Sequence, residues 1–282
     1  MKPASFRYHV PTSADEAVAV LQERGDGAKA LAGGQSLVPL LNMRLAAVSD
    51  LVDLNRCADL DYARALEIGA LTRQRTVELS SDVRRECPLL IDALRWVGHP
   101  PIRNRGTVGG SLVHADPAAE LPAAAVALDA VLVVRGPAGE REVPAAEFFT
   151  GVFETAIAPD ELLVAVRFPR QAPDTRSCFL ELARRHGDFA IAGVAAVLRV
   201  EDGRVAEARL ALAGVDATPV RAAGAEAAVL GEAPRSELFA HAADVACGEC
   251  SPSADLHGSP DYRRQLVRVL VERALTTCAE AA

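Results

Sequence analysis

Positive charge is in short supply in this chain. Against 30 lysines and arginines stand 38 aspartates and glutamates, a formal net charge of −8. That balance excludes a nucleic-acid coat and a polybasic membrane patch, because both need surplus cationic charge. Lysine is nearly missing: only Lys2 and Lys29 occur, and arginine supplies the remaining positive charge. Neither a P-loop of the GxxxxGK[ST] type nor a GxGxxG dinucleotide fingerprint is present, which disfavours a Rossmann fold. Long apolar runs are missing too; the stretch 121–134 comes nearest, and Asp129 breaks it. The opening residues lack the apolar core of a signal peptide. A cytoplasmic protein without a membrane span is therefore expected.

Cysteine is sparse and does not form a ligand pattern. Cys57, Cys87, Cys178, Cys247, Cys250 and Cys278 are read as thiols, since a cytoplasmic chain of this size seldom carries disulfides. Cys247 and Cys250 make a lone CxxC, and neither a second CxxC nor His241 and His257 complete a zinc-finger spacing. No metal ligand is assigned. No C-x4-C-x2-C spacing exists, so the chain carries no iron–sulphur cluster of its own.

What is present is an ordinary globular composition, 50% apolar and 24% charged over 282 residues. That length suggests about two domains. Ser13 and Glu16 form a capping-box pattern ahead of Ala14, Ala17, Val18 and Leu21, and Gly25 and Gly27 end that helix. Strands are expected at 29–31, 51–54, 66–70, 131–134 and 162–168. Helices are expected near 77–79 and over 88–97, with a helix or irregular turn at 37–44. Pro117 is expected to open a further helix reaching Ala127. The polar stretch 169–175 holds Pro169 and Pro173 and is read as a domain boundary. Beyond it the pattern becomes a strand meander over 179–182, 191–200 and 204–213, with a hairpin at Glu201-Asp202-Gly203. Helices at 222–230, 236–247 and 260–278 complete this half, and Arg263 and Arg264 are placed on the exposed face of the last one.

Two glycine-rich turns carry the chemistry: Ala32-Gly33-Gly34-Gln35-Ser36, and the run from Gly98 through Arg103, Arg105, Thr107, Gly109 and Gly110 to Ser111. Glycine lets a backbone approach a ligand closely and adopt positive φ. Exposed N–H groups then form a concave donor array suited to phosphate. Two such turns in one domain could hold a diphosphate between them. Arg103 and Arg105 could bind phosphate or a partner, or pair with carboxylates. His9, His99, His186, His241 and His257 are read as surface or structural residues.

Taken together, the two turns resemble the flavin loops of the medium, FAD-binding subunits of molybdenum hydroxylases, the family of carbon monoxide dehydrogenase and xanthine dehydrogenase. The run Ala32 to Leu37 resembles the first loop. Ile102-Arg103-Asn104-Arg105-Gly106-Thr107-Val108-Gly109-Gly110-Ser111, followed by His114-Ala115-Asp116-Pro117, resembles the second. Pro159-Asp160-Glu161-Leu162-Leu163, Arg184-Arg185-His186-Gly187-Asp188-Phe189 and Asp261-Tyr262-Arg263-Arg264 are similar to later landmarks in the same order. The resemblance implies an α+β fold: a vanillyl-alcohol oxidase-like (PCMH-type) FAD-binding domain at 1–172, built of two α/β subdomains at about 1–56 and 57–172. A small α+β domain of the carbon monoxide dehydrogenase flavoprotein type would follow at 176–282.

The resemblance also implies roles. Ala32, Gly33, Gly34, Gln35, Ser36 and Leu37 would hold the FAD diphosphate. Thr107, Gly110 and Ser111 would contact the diphosphate or ribityl side. Glu120 would bond the adenosine ribose, Leu163 would pack near the isoalloxazine ring, and His114 and Asp116 lie in the same loop. Gln35 stands where some distant flavoproteins carry a histidine that attaches FAD, so FAD is expected to be non-covalent. Some relatives carry lysine near the ring, at Leu180 or Glu181, and this chain does not. No catalytic acid, base or nucleophile is assigned, because the cofactor does the redox chemistry. The implied function is electron transfer within a complex, a dimer of heterotrimers. A large molybdopterin subunit would oxidise the substrate. A small [2Fe–2S] subunit would deliver electrons to this FAD, and NAD, a quinone or oxygen would accept them. A stand-alone flavin oxidase or reductase is the alternative.

Overall fold

The computed structural model describes residues 2–280. Its first sheet is parallel and small. Strands β1 (Arg7–His9), β2 (Ala28–Leu31) and β3 (Asp50–Asp53) lie in the order β1-β3-β2. Parallel neighbours need crossovers, and α1 (Ala14–Arg24) and α2 (Leu37–Asn42) supply them. The Ser13 hydroxyl caps α1 by accepting from Glu16 N at 3.2 Å. The reciprocal half of the capping box is displaced by one residue: the Glu16 carboxylate accepts from Thr12 N at 2.7 Å.

The second sheet is antiparallel, in the order β4-β5-β10-β6-β7. Its strands are β4 (Ala63–Arg64), β5 (Glu67–Gly69), β6 (Val131–Gly136), β7 (Gly139–Pro144) and β10 (Leu162–Arg167), while β8 (Phe149–Gly151) and β9 (Glu154–Thr155) form a separate hairpin. Ala14, Ala17, Val18 and Leu21 of α1 pack between the two sheets, against Val52 on one side and Val133, Leu162 and Val164 on the other. The opposite face of the larger sheet holds the main core. It packs on α3 (Gln74–Leu79), α4 (Ser81–Glu86), α5 (Pro88–Trp96), α7 (Val108–His114) and α8 (Glu120–Ala127), with short α6 (Pro100–Arg103) and α9 (Ala145–Phe148) at the periphery. Every residue of α8 is buried, so its apolar sequence makes a central helix and not a membrane span. Among the described residues no helix is long and apolar enough to cross a membrane.

The third sheet is the expected meander: β11 (Thr175–Leu182), β12 (Ala192–Glu201), β13 (Arg204–Ala213) and a short β14 (Val220–Arg221), all antiparallel. Asp202 and Gly203 have φ of 50° and 73°, which makes the β12–β13 turn of the primed type that matches strand twist. Side chains alternate on these strands. Phe179, Ala195, Val197, Ala211 and Ala213 join the main core. Cys178, Val194, Ala196, Leu198 and Leu212 face α10 (Ala223–Val229), α11 (Ser236–Gly248) and α12 (Pro260–Glu280). The halves are also tied by hydrogen bonds, Trp96 Nε1 to Phe179 O at 3.1 Å and Gly214 N to Pro117 O at 2.7 Å.

Two expectations are corrected. Pro117 does not open α8, which starts at Glu120. The Asp116 carboxylate accepts from Ala118 N at 2.9 Å and its carbonyl accepts from Ala119 N, which closes a turn around the proline. Arg263 is not on the exposed face of α12. It is 6% exposed and donates to Ile191 O, to Gly214 O at 2.7 Å and to Asp255 at 2.6 Å. Helical spacing explains this, because Arg263, Val267, Leu270, Val271 and Ala274 share the buried stripe. Arg264 remains half-exposed beside Asp261. Strands β1, β7, β8 and β9 carried too little apolar alternation to be expected.

Candidate flavin site

The two glycine segments meet. A Cβ on Gly33 would lie 2.3 Å from Arg105 O and 2.9 Å from Gly106 Cα, and one on Gly110 would lie 3.5 Å from Ala32 Cβ. Only glycine allows that approach. Two residues missed in the sequence hold the segments together. Asn55 Nδ2 donates to Ala32 O at 2.9 Å, and Arg73 donates to Asn55 Oδ1 at 2.7 Å and to Arg105 O at 2.5 Å. Asn55 follows β3 in a short turn, a position where asparagine is common; Arg73 has no local signal.

The segments do not offer equal donor arrays, and this corrects the expected symmetry. Gly109 and Gly110 are not in a turn but in the first turn of α7, whose N-cap is Thr107. Thr107 Oγ1 accepts from Gly110 N at 3.0 Å. Val108 N donates to Thr72 O, Gly109 N to Ala70 O and Ser111 N to Thr107 O. The amides that open α7 are thus spent inside the chain. Neither Gly109 nor Gly110 has positive φ; each is glycine for space, against Ala70 and the Thr107 hydroxyl. The first loop is different. Among the described residues, the amides of Gly33, Gly34, Gln35, Ser36 and Leu37 have no acceptor. Gly34 sits at φ +73°, and Gln35 Nε2 folds back on Gly33 O at 3.1 Å. Five consecutive free amides beside Thr107, Gly110 and Ser111 form a one-sided cradle fit for a diphosphate.

The other candidates lie further along. His114 ends α7, stacked on Phe153 with ring centroids 5.0 Å apart, and burial holds its pKa below the usual value. Glu120 is the first residue of α8 and 5% exposed; burial pushes its carboxyl up to about 7, helped by Asp116. Leu163 is 2% exposed within the main core. Its strand reaches the second segment through the backbone, since Val164 O accepts from Ala70 N and Ala70 is the surface that Gly109 meets. Arg103 resolves to the paired reading. It is 5% exposed and holds Glu78 with two bonds of 2.7 and 3.0 Å. Cys247 donates to Arg264 O at 3.1 Å, and no cluster of metal-ligating side chains occurs among the described residues.

Residues 4–171 match the family described as FAD binding domain in molybdopterin dehydrogenase, and residues 177–278 match the CO dehydrogenase flavoprotein C-terminal domain. The chain belongs to the flavoprotein subunits of molybdenum hydroxylases. It is 42% identical to the 6-hydroxypseudooxynicotine dehydrogenase complex subunit alpha of Paenarthrobacter nicotinovorans, over 98% of this chain and 95% of that one. It is 39% identical to the carbon monoxide dehydrogenase medium chain of Hydrogenophaga pseudoflava, over 98% and 97%. Among solved structures, carbon monoxide dehydrogenase from that organism superposes with a TM-score of 0.97 at 40% identity, covering 99% of each chain. Quinoline 2-oxidoreductase from Pseudomonas putida 86 superposes with 0.94 at 36%, covering 100% of this chain and 99% of that one. This flavoprotein subunit is an oxidoreductase component, and its α+β architecture of an FAD-binding domain followed by a smaller domain is the family's.

Proposed function

We propose that this subunit holds FAD non-covalently and relays electrons from the [2Fe–2S] clusters of a small partner subunit to an external acceptor. The observation that carries this reading is the run of five free amides at Gly33–Leu37, closed by Gly33 against Arg105 and by Ala32 against Gly110. The amides would take the diphosphate, with the Ser36, Thr107 and Ser111 hydroxyls beside it. Glu120 would serve the ribose, and Leu163 would stiffen the wall behind the ring. When bound, FAD supplies the two-electron chemistry, so these residues position and shield it and need not act as acid, base or nucleophile. Gln35 cannot form the covalent link that a histidine would.

The domains divide at 1–172 and 176–282 in this reading, the first into subdomains at about 56. A large molybdopterin subunit oxidises the substrate, the whole assembles as a dimer of heterotrimers in the cytoplasm, and NAD, a quinone or oxygen drains the electrons. The names of the relatives support this, since they are chains of dehydrogenase complexes. Two measurements test it. Acid precipitation should release all flavin absorbance into the supernatant. Purified without partners and shown free of molybdenum and iron, the chain should oxidise no aldehyde, purine or carbon monoxide. Oxidation of such a substrate by that preparation would instead establish a stand-alone flavin oxidase.

A further inference from the structure

One side chain reaches from the second flavin segment across to the first. Arg73 precedes α3, and its backbone belongs with the second segment. It pairs with Thr107 in an antiparallel bridge, and the next residue, Gln74, donates its amide to Gly106 O at 2.9 Å. Asn55 belongs with the first segment. It follows β3 of the parallel sheet, and its Nδ2 donates to Ala32 O at 2.9 Å. The Arg73 guanidinium joins the two. Nη2 donates to Asn55 Oδ1 at 2.7 Å and Nη1 to Arg105 O at 2.5 Å. Arg105 O is the same atom that a Cβ on Gly33 would meet at 2.3 Å. The guanidinium and the Gly33 backbone therefore touch one carbonyl oxygen.

Asn55 is held in the orientation this bridge needs. Asp53 accepts from its backbone N at 3.0 Å and from Nδ2 at 2.5 Å, and the Tyr8 hydroxyl donates to the other carboxylate oxygen of Asp53. Both amide hydrogens of Asn55 thus have acceptors, and a flipped amide would set Oδ1 against Ala32 O and Asp53. Its oxygen is left to accept from Arg73. The charge of Arg73 is also unspent. Arg75 and Arg103 both pair with Glu78, at 2.8 and 2.7 Å. Arg73 instead bonds two neutral oxygens, and no carboxylate pairs with it among the described residues. A guanidinium so held keeps its full charge for an anion nearby, and its planar fork spans two acceptors where an ammonium is a single point. Neither segment contains a lysine.

We propose that Arg73 is a positioning residue for the FAD diphosphate. Through Asn55 and Arg105 it fixes the gap between the two segments, and its unpaired charge offsets that of the diphosphate held by the amides of Gly33–Leu37. This rests on the cofactor reading above. A gap braced before the cofactor arrives spares the ordering cost of closing the segments on it.

Titration of the full-length apoprotein with FAD, followed by flavin fluorescence, tests this, with urea unfolding on the same samples. Arg73→Met should bind FAD about ten- to hundredfold more weakly, the range for hydrogen bonds to a charged group. Arg73→Lys keeps the charge but cannot span both acceptors, so its affinity should fall between Met and wild type. Wild-type affinity in Arg73→Lys would overturn the span, and affinity no better than that of Arg73→Met would overturn the charge. Asn55→Ala cuts the same bridge at an exposed residue, and decides the matter even where Arg73→Met folds poorly. It should weaken FAD binding at an unchanged urea midpoint. A midpoint that falls while affinity holds would mark a purely structural tie and overturn the proposal. With both positions substituted, the loss should fall short of the product of the single losses by at least about twofold. Losses that multiply would overturn the clamp, since the two residues would then act independently. FAD bound equally by every variant would overturn the role of Arg73 and spare the cofactor reading. A wild-type chain that takes up no FAD would overturn both.

Discussion

Replacing Gly33 by alanine should pry the two flavin segments apart. The added carbon would start 2.3 Å from Arg105 O, 3.0 Å from Arg105 C and 2.9 Å from Gly106 Cα. Non-bonded contacts settle near 3.5 Å, so about 1 Å of movement is needed. All three neighbours are backbone, and none can swing aside as a side chain would. Arg73 also pins Arg105 O, while Asn55 holds Ala32 O next to Gly33. Overpacking of this kind costs about 1–3 kcal/mol. If the segments must close on FAD, the same energy appears as roughly 5- to 150-fold weaker binding. Flavin fluorescence titration of apoprotein gives the affinity, and urea unfolding separates any general loss of stability. Gly248→Ala is the control, because nothing lies within 4 Å of its added carbon and its φ is not left-handed. Unchanged FAD affinity and unchanged stability in Gly33→Ala would refute the idea that close approach at this point builds the site.

Arg103→Leu should destabilise the fold by about 3 kcal/mol, the low end for breaking a buried pair, because Arg75 remains 2.8 Å from Glu78. Replacing Glu78 by leucine as well should recover most of that in urea unfolding. Arg263→Met strips bonds from Gly214 O, Ile191 O and Asp255; a loss of about 3 kcal/mol is expected in the same assay. Asp50, bonded by Arg7, His9 and Ser49, has its carboxyl held well below the usual range, chiefly by Arg7 and against the opposing effect of burial. Its contribution is therefore complete above the ordinary carboxylate pKa and lost as the pH falls below it. Thermal melts of Asp50→Asn should show a flatter acid limb than wild type, and identical acid limbs would remove Asp50 as its source.

Local sequence was enough wherever the signal is local. The α1 stripe, the apolar strand at 131–134, the meander with its Asp202-Gly203 turn and the terminal helix follow from periodicity and turn chemistry, which neighbouring residues set by themselves. The glycine segments were visible for the same reason, and their order along the chain carried the family resemblance. What those glycines do was decided by the fold. Gly109 and Gly110 read as a turn, yet Thr107 caps a helix there and Thr72 and Ala70, far back in the chain, consume the amides a ligand would otherwise use. Arg263 lies on the stripe with Val267 and Ala274, but helical spacing does not supply the carbonyls of Ile191 and Gly214 that make its burial tolerable. Glu181 is the clearest case. Its position in a strand was legible, whereas its charge state depends on which long-range neighbours fill a low-dielectric junction. Here both carboxyl oxygens are buried without a hydrogen-bond partner, and burial first, then the charge of Glu120 from a distant part of the chain, pushes the acid up to about 8. Burial and the pairing of charges across the chain are properties of packing, and only the tertiary structure sets them.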